Sequence, residues 1–342
     1  MRRAARSIAL ALAGLATAAA AAGCDTDFED PAIVLDLRIL GMRAEPPEIV
    51  APVDPEDPTD VDLADIGPVQ VCALVAEPNR QRGARYRMRL CPPTGGGRCF
   101  GADEGEEQHM VFDLAEGEVG DPDTLGPTDM CATIEPSADL VVVVMQSVRA
   151  DDLAGFGGIA VQVDLEVTPE GGGAEDAVWG FKRVRYSPRL PAERVANSNP
   201  SLVGITGARD PTGARDRDFD IPLGRCGSVE PFLVAPGERI TMLPREPEGA
   251  REDYLLPTFE GGTRSYTENL RYQWHATAGD WSRFETGGTT DAVGNQPPLD
   301  TRWTAPDDPE EIGDGLDVAM WIVQRDERGG QAWYETCARV VP

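Results

Sequence analysis

Basic and nucleophilic chemistry is scarce in this 342-residue chain. It has a single lysine, Lys182, and two histidines, His109 and His275. There is no Gly-x-Ser-x-Gly elbow, no His-Glu-x-x-His pair and no phosphate-cradling glycine loop with a lysine. There is no Cys-x-x-Cys spacing, and neither histidine lies near a cysteine pair in sequence, which argues against a metal centre. Past residue 22 no apolar run is long enough to cross a membrane, which takes about 20 residues. Acidic residues outnumber Lys and Arg by 59 to 31, a formal charge of −28. That excess argues against nucleic acid and anionic lipid as direct partners and suits a self-repelling, soluble surface.

What is present begins at the N-terminus. Arg2, Arg3 and Arg6 precede an Ala- and Leu-rich run over 8–22, followed by Ala21-Ala22-Gly23-Cys24. A charged start, an apolar middle and small residues at the cut are the layout of a secretory signal. The tetrapeptide resembles the bacterial lipobox, with Ala at position 21 where Leu is usual. The resemblance implies that Cys24 is linked by a thioether to diacylglycerol and becomes the first mature residue. Two or more acyl chains, at about 0.8 kcal/mol per buried CH₂, anchor a protein stably. The expected divisions are a signal peptide over 1–23 and a lipidated tether over 24–32. Removing the signal leaves 28 basic and 59 acidic residues, a charge of −31. Asp25 follows the anchor; lineages differ in whether that residue retains a lipoprotein in the inner membrane, so both membranes stay open.

The mature length suits two domains, and the pattern is of strands. Ile33, Leu35, Leu37 and Ile39 alternate with Val34, Asp36, Arg38 and Leu40, and the Pro46-Pro47 pair ends that run. Tyr86, Met88 and Leu90 alternate with arginines. Residues 159–167 alternate likewise, and 178–186 closes the first module. The apolar run 140–145 reads as a central strand buried on both faces. No convincing helical period follows the signal. Pro- and Asn-rich residues near 188–200 mark a boundary, which gives a first β-sandwich over 33–188, a linker over 189–200 and a second sandwich over 201–342. Near the C-terminus, 318–324 and 331–341 flank Gly329-Gly330, a hairpin signal. The halves also resemble each other in order. Gly41-Met42-Arg43-Ala44-Glu45-Pro46 parallels Gly207-Ala208-Arg209-Asp210-Pro211. Ile49-Val50-Ala51-Pro52 parallels Leu233-Val234-Ala235-Pro236, strand 69–75 parallels strand 239–243, and Arg85-Tyr86-Arg87-Met88 parallels Arg271-Tyr272-Gln273-Trp274.

The C-terminal half resembles an immunoglobulin-like module of the PKD or bacterial kind. Tyr272-Gln273-Trp274-His275-Ala276, Thr301-Arg302-Trp303-Thr304-Ala305-Pro306, and 318–324 with Asp326 and Gly329-Gly330 carry the resemblance. The opening 37–47 with the lipobox is similar to a broad set of lipoproteins from GC-rich Gram-negative bacteria. Both resemblances imply an all-β fold of two tandem Ig-like sandwiches and an envelope location; neither implies an activity, because this fold hosts many functions. Trp274 sits where the core Trp of such a sandwich belongs. Besides Cys24 six cysteines remain, and an even number in an exported chain reads as disulfides. The expected bridge of the second module is Cys226–Cys337, which departs from the antibody pattern. In the first module Cys91 and Cys99 bracket a short loop, leaving Cys72 with Cys131; four cysteines allow three pairings.

Few candidates for chemistry remain. Asp216, Asp218 and Asp220 alternate as calcium ligands can, but the glycine and glutamate of a twelve-residue calcium loop are missing. The 54–60 stretch reads as an acidic loop. Lys182 is expected on a solvent face, His109 in an acidic loop, and His275 on the polar face of its strand. Trp274, Trp303, Trp321 and Trp333 are expected in the core. The sequence therefore predicts a non-catalytic, lipid-anchored envelope protein without a cofactor, a spacer or interaction module for another envelope protein or a polysaccharide. The alternative is a calcium-dependent or carbohydrate-binding lipoprotein.

Overall fold

The computed structural model describes residues 30–51, 66–78, 82–93, 98–99, 110–119, 130–152, 157–209, 216–258 and 260–342. Cys24, His109 and the acidic loop 54–60 lie outside the described residues. The fold is all-β. In the first sandwich β1 (Arg38–Glu45), β3 (Val69–Ala76) and β6 (Cys131–Ile134) form one sheet with β3 central. The facing sheet runs β2 (Glu48–Ala51), β8 (Val178–Pro188), β7 (Ile159–Pro169), β4 (Ala84–Cys91) and β5 (Phe112–Val119). Pro46 and Pro47 offer no N–H to a ladder, so the chain leaves β1 there and re-enters as β2, parallel to β8.

The second sandwich repeats this plan. One sheet runs β10 (Asp216–Asp220), β9 (Gly204–Arg209), β12 (Arg239–Arg245), β18 (Thr301–Thr304) and β16 (Asp280–Trp281). The other runs β11 (Phe232–Val234), β20 (Gln331–Val340), β19 (Leu316–Arg325), β15 (Arg271–Ala276) and β17 (Glu285–Gly287), with β11 parallel to β20. β13 (Asp253–Pro257) and β14 (Thr263–Thr267) form an added hairpin. Each half thus joins an A–B–E sheet to an A′–G–F–C–C′ sheet, the immunoglobulin-like arrangement. The four paired sequence segments fall on equivalent strands: β1 with β9, β2 with β11, β3 with β12, and β4 with β15. Each half also places a helix between its E and F strands, α1 (Ala138–Ala150) and α2 (Pro309–Ile312).

Helix α1 corrects the expected strand at 140–145. Its valines favour strands, but the capping and burial pattern are helical. Ser137 caps the start, its Oγ accepting the N–H of Leu140 at 3.3 Å. Leu140, Val143 and Ser147 are buried, a spacing of three and four that one face of a helix produces. The opening strand is also rephased. Strand structure starts at Arg38, Leu35 is exposed, and Ala32 and Val34 are buried. Val34 and Ala276 bond through their backbones, as do Ala276 and Ala32, so this segment seats on β15 of the second sandwich.

Each sandwich has its own core. Met88, Leu90, Val161, Val163, Val71 and Leu140 fill the first. Tyr272, Trp274, Trp303, Ile240, Met320 and Ile322 fill the second. Trp274 and Trp303 are fully buried, with their indole N–H groups donating to Thr286 Oγ1 at 2.9 Å and the Ala278 carbonyl at 3.0 Å. At Gly279 φ is +82°, and an added Cβ would meet the Thr304 carbonyl oxygen and the Trp303 indole, so only glycine fits this turn. Three disulfides brace the fold: Cys72–Cys131, Cys91–Cys99 and Cys226–Cys337. They match an oxidising, extracytoplasmic setting. The last closes 111 residues and contributes about 4–5 kcal/mol by loop entropy. No helix among the described residues is long and apolar enough to cross a membrane.

The sandwiches stack. The β1–β3–β6 sheet turns Met42, Ala44, Val69 and Val71 toward its own core. Its other face gives Leu40, Leu74 and Ala76, which pack on Ala319, Trp321 and Val323 of β19, with Val34 between the halves.

Candidate functional site

The stacked faces bring the chain's buried charges together. Glu48, on β2, is 3% exposed and accepts four hydrogen bonds. Its Oε1 receives Ser187 Oγ at 2.6 Å and Arg194 Nη2 at 2.8 Å. Its Oε2 receives the N–H of Asn197 at 2.9 Å and Arg328 Nη2 at 2.8 Å. Burial alone would raise the Glu48 pKa; the Ser187 bond, the Arg194 charge, the Asn197 N–H and Arg328 together outweigh it and hold the carboxyl below its ordinary value.

Arg328 is the pivot. It sits in the β19–β20 turn and reaches Glu252 at 3.4 Å and Glu268 at 3.2 Å through Nη1, as well as Glu48. Its guanidinium lies 4.8 Å from the Tyr254 ring centroid. Asp326 shapes the turn, its Oδ1 accepting the N–H groups of Arg328 at 2.8 Å and Gly330 at 2.7 Å, and its Oδ2 accepting from Asn197. Gly329 takes the positive φ, +99°, expected of this hairpin. Glu268 is buried, and burial, with the nearby Asp326 charge, pushes it up to about 7. Glu48, Glu252 and Glu268 converge on the spot a cation would occupy, and Arg328 fills it. Among the described residues no group of His, Cys, Asp and Glu has metal-holding geometry.

Lys182 belongs to this region, which corrects the expected solvent position. It shares the inward face of β8 with Val184, is 8% exposed, and donates to the Gly329 carbonyl of the other sandwich. Burial lowers its pKa to about 8; Asp326 opposes the shift and Arg325 adds to it. His275 is also buried, not exposed. It lies opposite Trp321 in the sheet, with its ring edge-on to Phe284, on a face that the first sandwich covers. Arg194 and Asn197, both buried, belong to the expected linker 189–200. Nothing in the sequence singled out Glu48, Arg194 or Arg328, because the pairs that join them lie 146 and 280 positions apart.

Two depressions border the junction. A cleft of about 240 Å³ is lined by Ser198, Asn199, Ser201, Glu252 and Glu268. A groove of about 600 Å³ lies between Arg43, Cys72 and Cys131 of the first sandwich and Arg225, Trp333 and Glu335 of the second. The calcium candidates lie elsewhere, on edge strand β10. Asp218 and Asp220 are exposed, and Asp220 pairs with Arg245 at 2.8 Å; the side chain of Asp216 lies outside the described residues. Of the four tryptophans, Trp274, Trp303 and Trp321 are buried, while Trp333 is half-buried under Arg43, 5.2 Å from its ring centroid.

No family model matches the chain, and no curated protein is significantly similar to it. Among solved structures it is similar to the transglutaminase of red sea bream, with a TM-score of 0.23 and 9% identity over 90% of this chain and 32% of that one. It is also similar to the Escherichia coli alpha-2-macroglobulin activated by porcine elastase, with a TM-score of 0.22 and 9% identity over 92% and 22%. The chain spans about a third or less of each, and likeness at this level carries no functional argument.

Proposed function

We propose that this chain is a non-catalytic envelope protein, anchored through lipid on Cys24, whose two sandwiches act as one rigid spacer or interaction module for another envelope protein or a polysaccharide. The observation that carries the reading is the junction. Glu48, Arg194 and Arg328 bind the first sandwich, the connecting segment and the second sandwich to one another in buried, hydrogen-bonded ion pairs. Such pairs add little net stability over apolar packing, but their geometry admits one arrangement of the parts. A fixed relation between modules serves a spacer; an enzyme hinge or a flexible tether would need the opposite. The acidic surface keeps the module soluble and off anionic membranes.

The anchor is tested by replacing Cys24 with Ser and following mass and detergent partitioning. The expected result is loss of the diacylglyceryl mass and a shift from the detergent to the aqueous phase. Unchanged mass and partitioning would remove the anchor. Crosslinking and pull-down with the native anchored protein then tests the interaction role, with a reproducible envelope protein or glycan as the expected catch.

A further inference from the structure

Register places a charged residue and a disulfide in one row. Across the β1–β3–β6 sheet, Arg43 lies directly opposite Cys72, and Cys72 directly opposite Cys131. Directly opposite residues of antiparallel strands share a face, with Cβ atoms about 4.5–5.5 Å apart. That face does not look into the first core; it forms one wall of the groove of about 600 Å³, with Trp333 and the Arg225–Glu335 pair on the other wall. Cys131 is partly exposed there, whereas Cys72 is buried.

The other two disulfides are placed differently. Cys337 is 1% exposed, and its partner Cys226, though partly exposed, packs on the apolar cluster between the sandwiches; neither lines the groove. Cys91 is fully buried and Cys99 is 7% exposed, its N–H donating to the Asp164 carboxylate, so that bridge offers little access to either sulfur. A thiolate entering the groove meets the side chains of Arg43 and Arg225. Cationic neighbours favour thiolates, both attacking and leaving.

We propose that Cys72–Cys131 is a thiol-exchange site, open to a dithiol reductant small enough to enter the groove. A thiolate of the dithiol attacks Sγ of Cys131. The Cys72–Cys131 bond breaks, and its electron pair leaves on Sγ of Cys72 as a thiolate on the sheet face it shares with Arg43. The mixed disulfide on Cys131 is then resolved by the second sulfur of the dithiol, which closes to its own disulfide. Two electrons pass from the dithiol to the bridge, and the two dithiol protons end on Cys72 and Cys131. Exchange frees β6, which is held to β3 by a ladder of only four residue pairs and leads into α1. The site is therefore a way to loosen one edge of the first sandwich while the junction stays closed.

The test uses the full native chain, graded dithiothreitol at pH 8, rapid alkylation and peptide mass measurement. Cys72 and Cys131 are expected to be alkylated as a pair at least tenfold faster than the other four disulfide-forming cysteines. Opening of Cys91–Cys99 or Cys226–Cys337 at the same rate or sooner would overturn the proposal. A monothiol, reduced glutathione, is expected to be trapped on Cys131; trapping on Cys72 would contradict the order of attack. The Arg43→Gln variant is expected to open several-fold more slowly, with Arg43→Lys restoring the rate. Equal rates in the wild type and the Gln variant would count against the role of Arg43.

Discussion

Lys182 stands where an ammonium ion is least welcome, between two sandwiches and with a carbonyl as its hydrogen-bond partner. Its folded-state pKa of about 8 lies below the 10.5 of a free lysine, chiefly because burial penalises the charge. The unfolded chain therefore binds the proton more tightly. The penalty is in full force below pH 8 and fades as pH rises from 8 to 10.5. Replacing Lys182 with Met is expected to stabilise the protein by about 1 kcal/mol at pH 7, the loss of the Gly329 bond offsetting part of the gain. By pH 10 that advantage is expected to be lost. Thermal melts of both proteins at the two pH values check this; a variant less stable at pH 7 would contradict it. The sequence hid this residue for a simple reason. A lone lysine in a strand is assigned to solvent by default, and only the fold reveals that the hairpin turn of the other half lies over it. His275 was hidden in the same way, since alternation along β15 gives the correct face but not what covers that face.

At the scale of elements, helix α1 shows where composition misleads. Four consecutive valines, Val141 to Val144, carry strong strand propensity. Yet the segment begins with a Ser cap and an acidic residue in its first turn, and its burial has helical spacing. A helix of valines leans on its cap more than one of alanines would. Ser137→Ala is therefore expected to cost about 1 kcal/mol, read as a lowered denaturation midpoint with unchanged slope. A change within error would show that tertiary packing alone holds α1. Strand positions were easier to read. The alternation of β4 and β15 and the glycines of the β19–β20 turn are local signals, and the paired segments of the two halves land on equivalent strands. In β7 the alternation is partly masked, because Gln162 and Asp164 on its outer face are buried near the Cys91–Cys99 loop.

At the scale of the whole molecule, the decisive contacts join residues that no sequence window contains. Glu48 meets Arg328 across 280 positions and Arg194 across 146. Many strand positions in each half were legible from alternation and turn residues. That Arg194 and Asn197 of the boundary segment are buried, and that the outer face of one sandwich is covered by the other, was not. The account rests on these parts moving as one. The direct measurement is calorimetric unfolding of the full chain with its disulfides intact, for the wild type and for Glu48→Ala. Truncating Glu48 leaves Arg194 and Arg328 buried without their shared carboxylate, at a cost of about 3–5 kcal/mol. The account predicts one cooperative transition in the wild type, and in the variant a lower first transition that separates from a second. Two transitions in the wild type, at temperatures the substitution does not change, would contradict it.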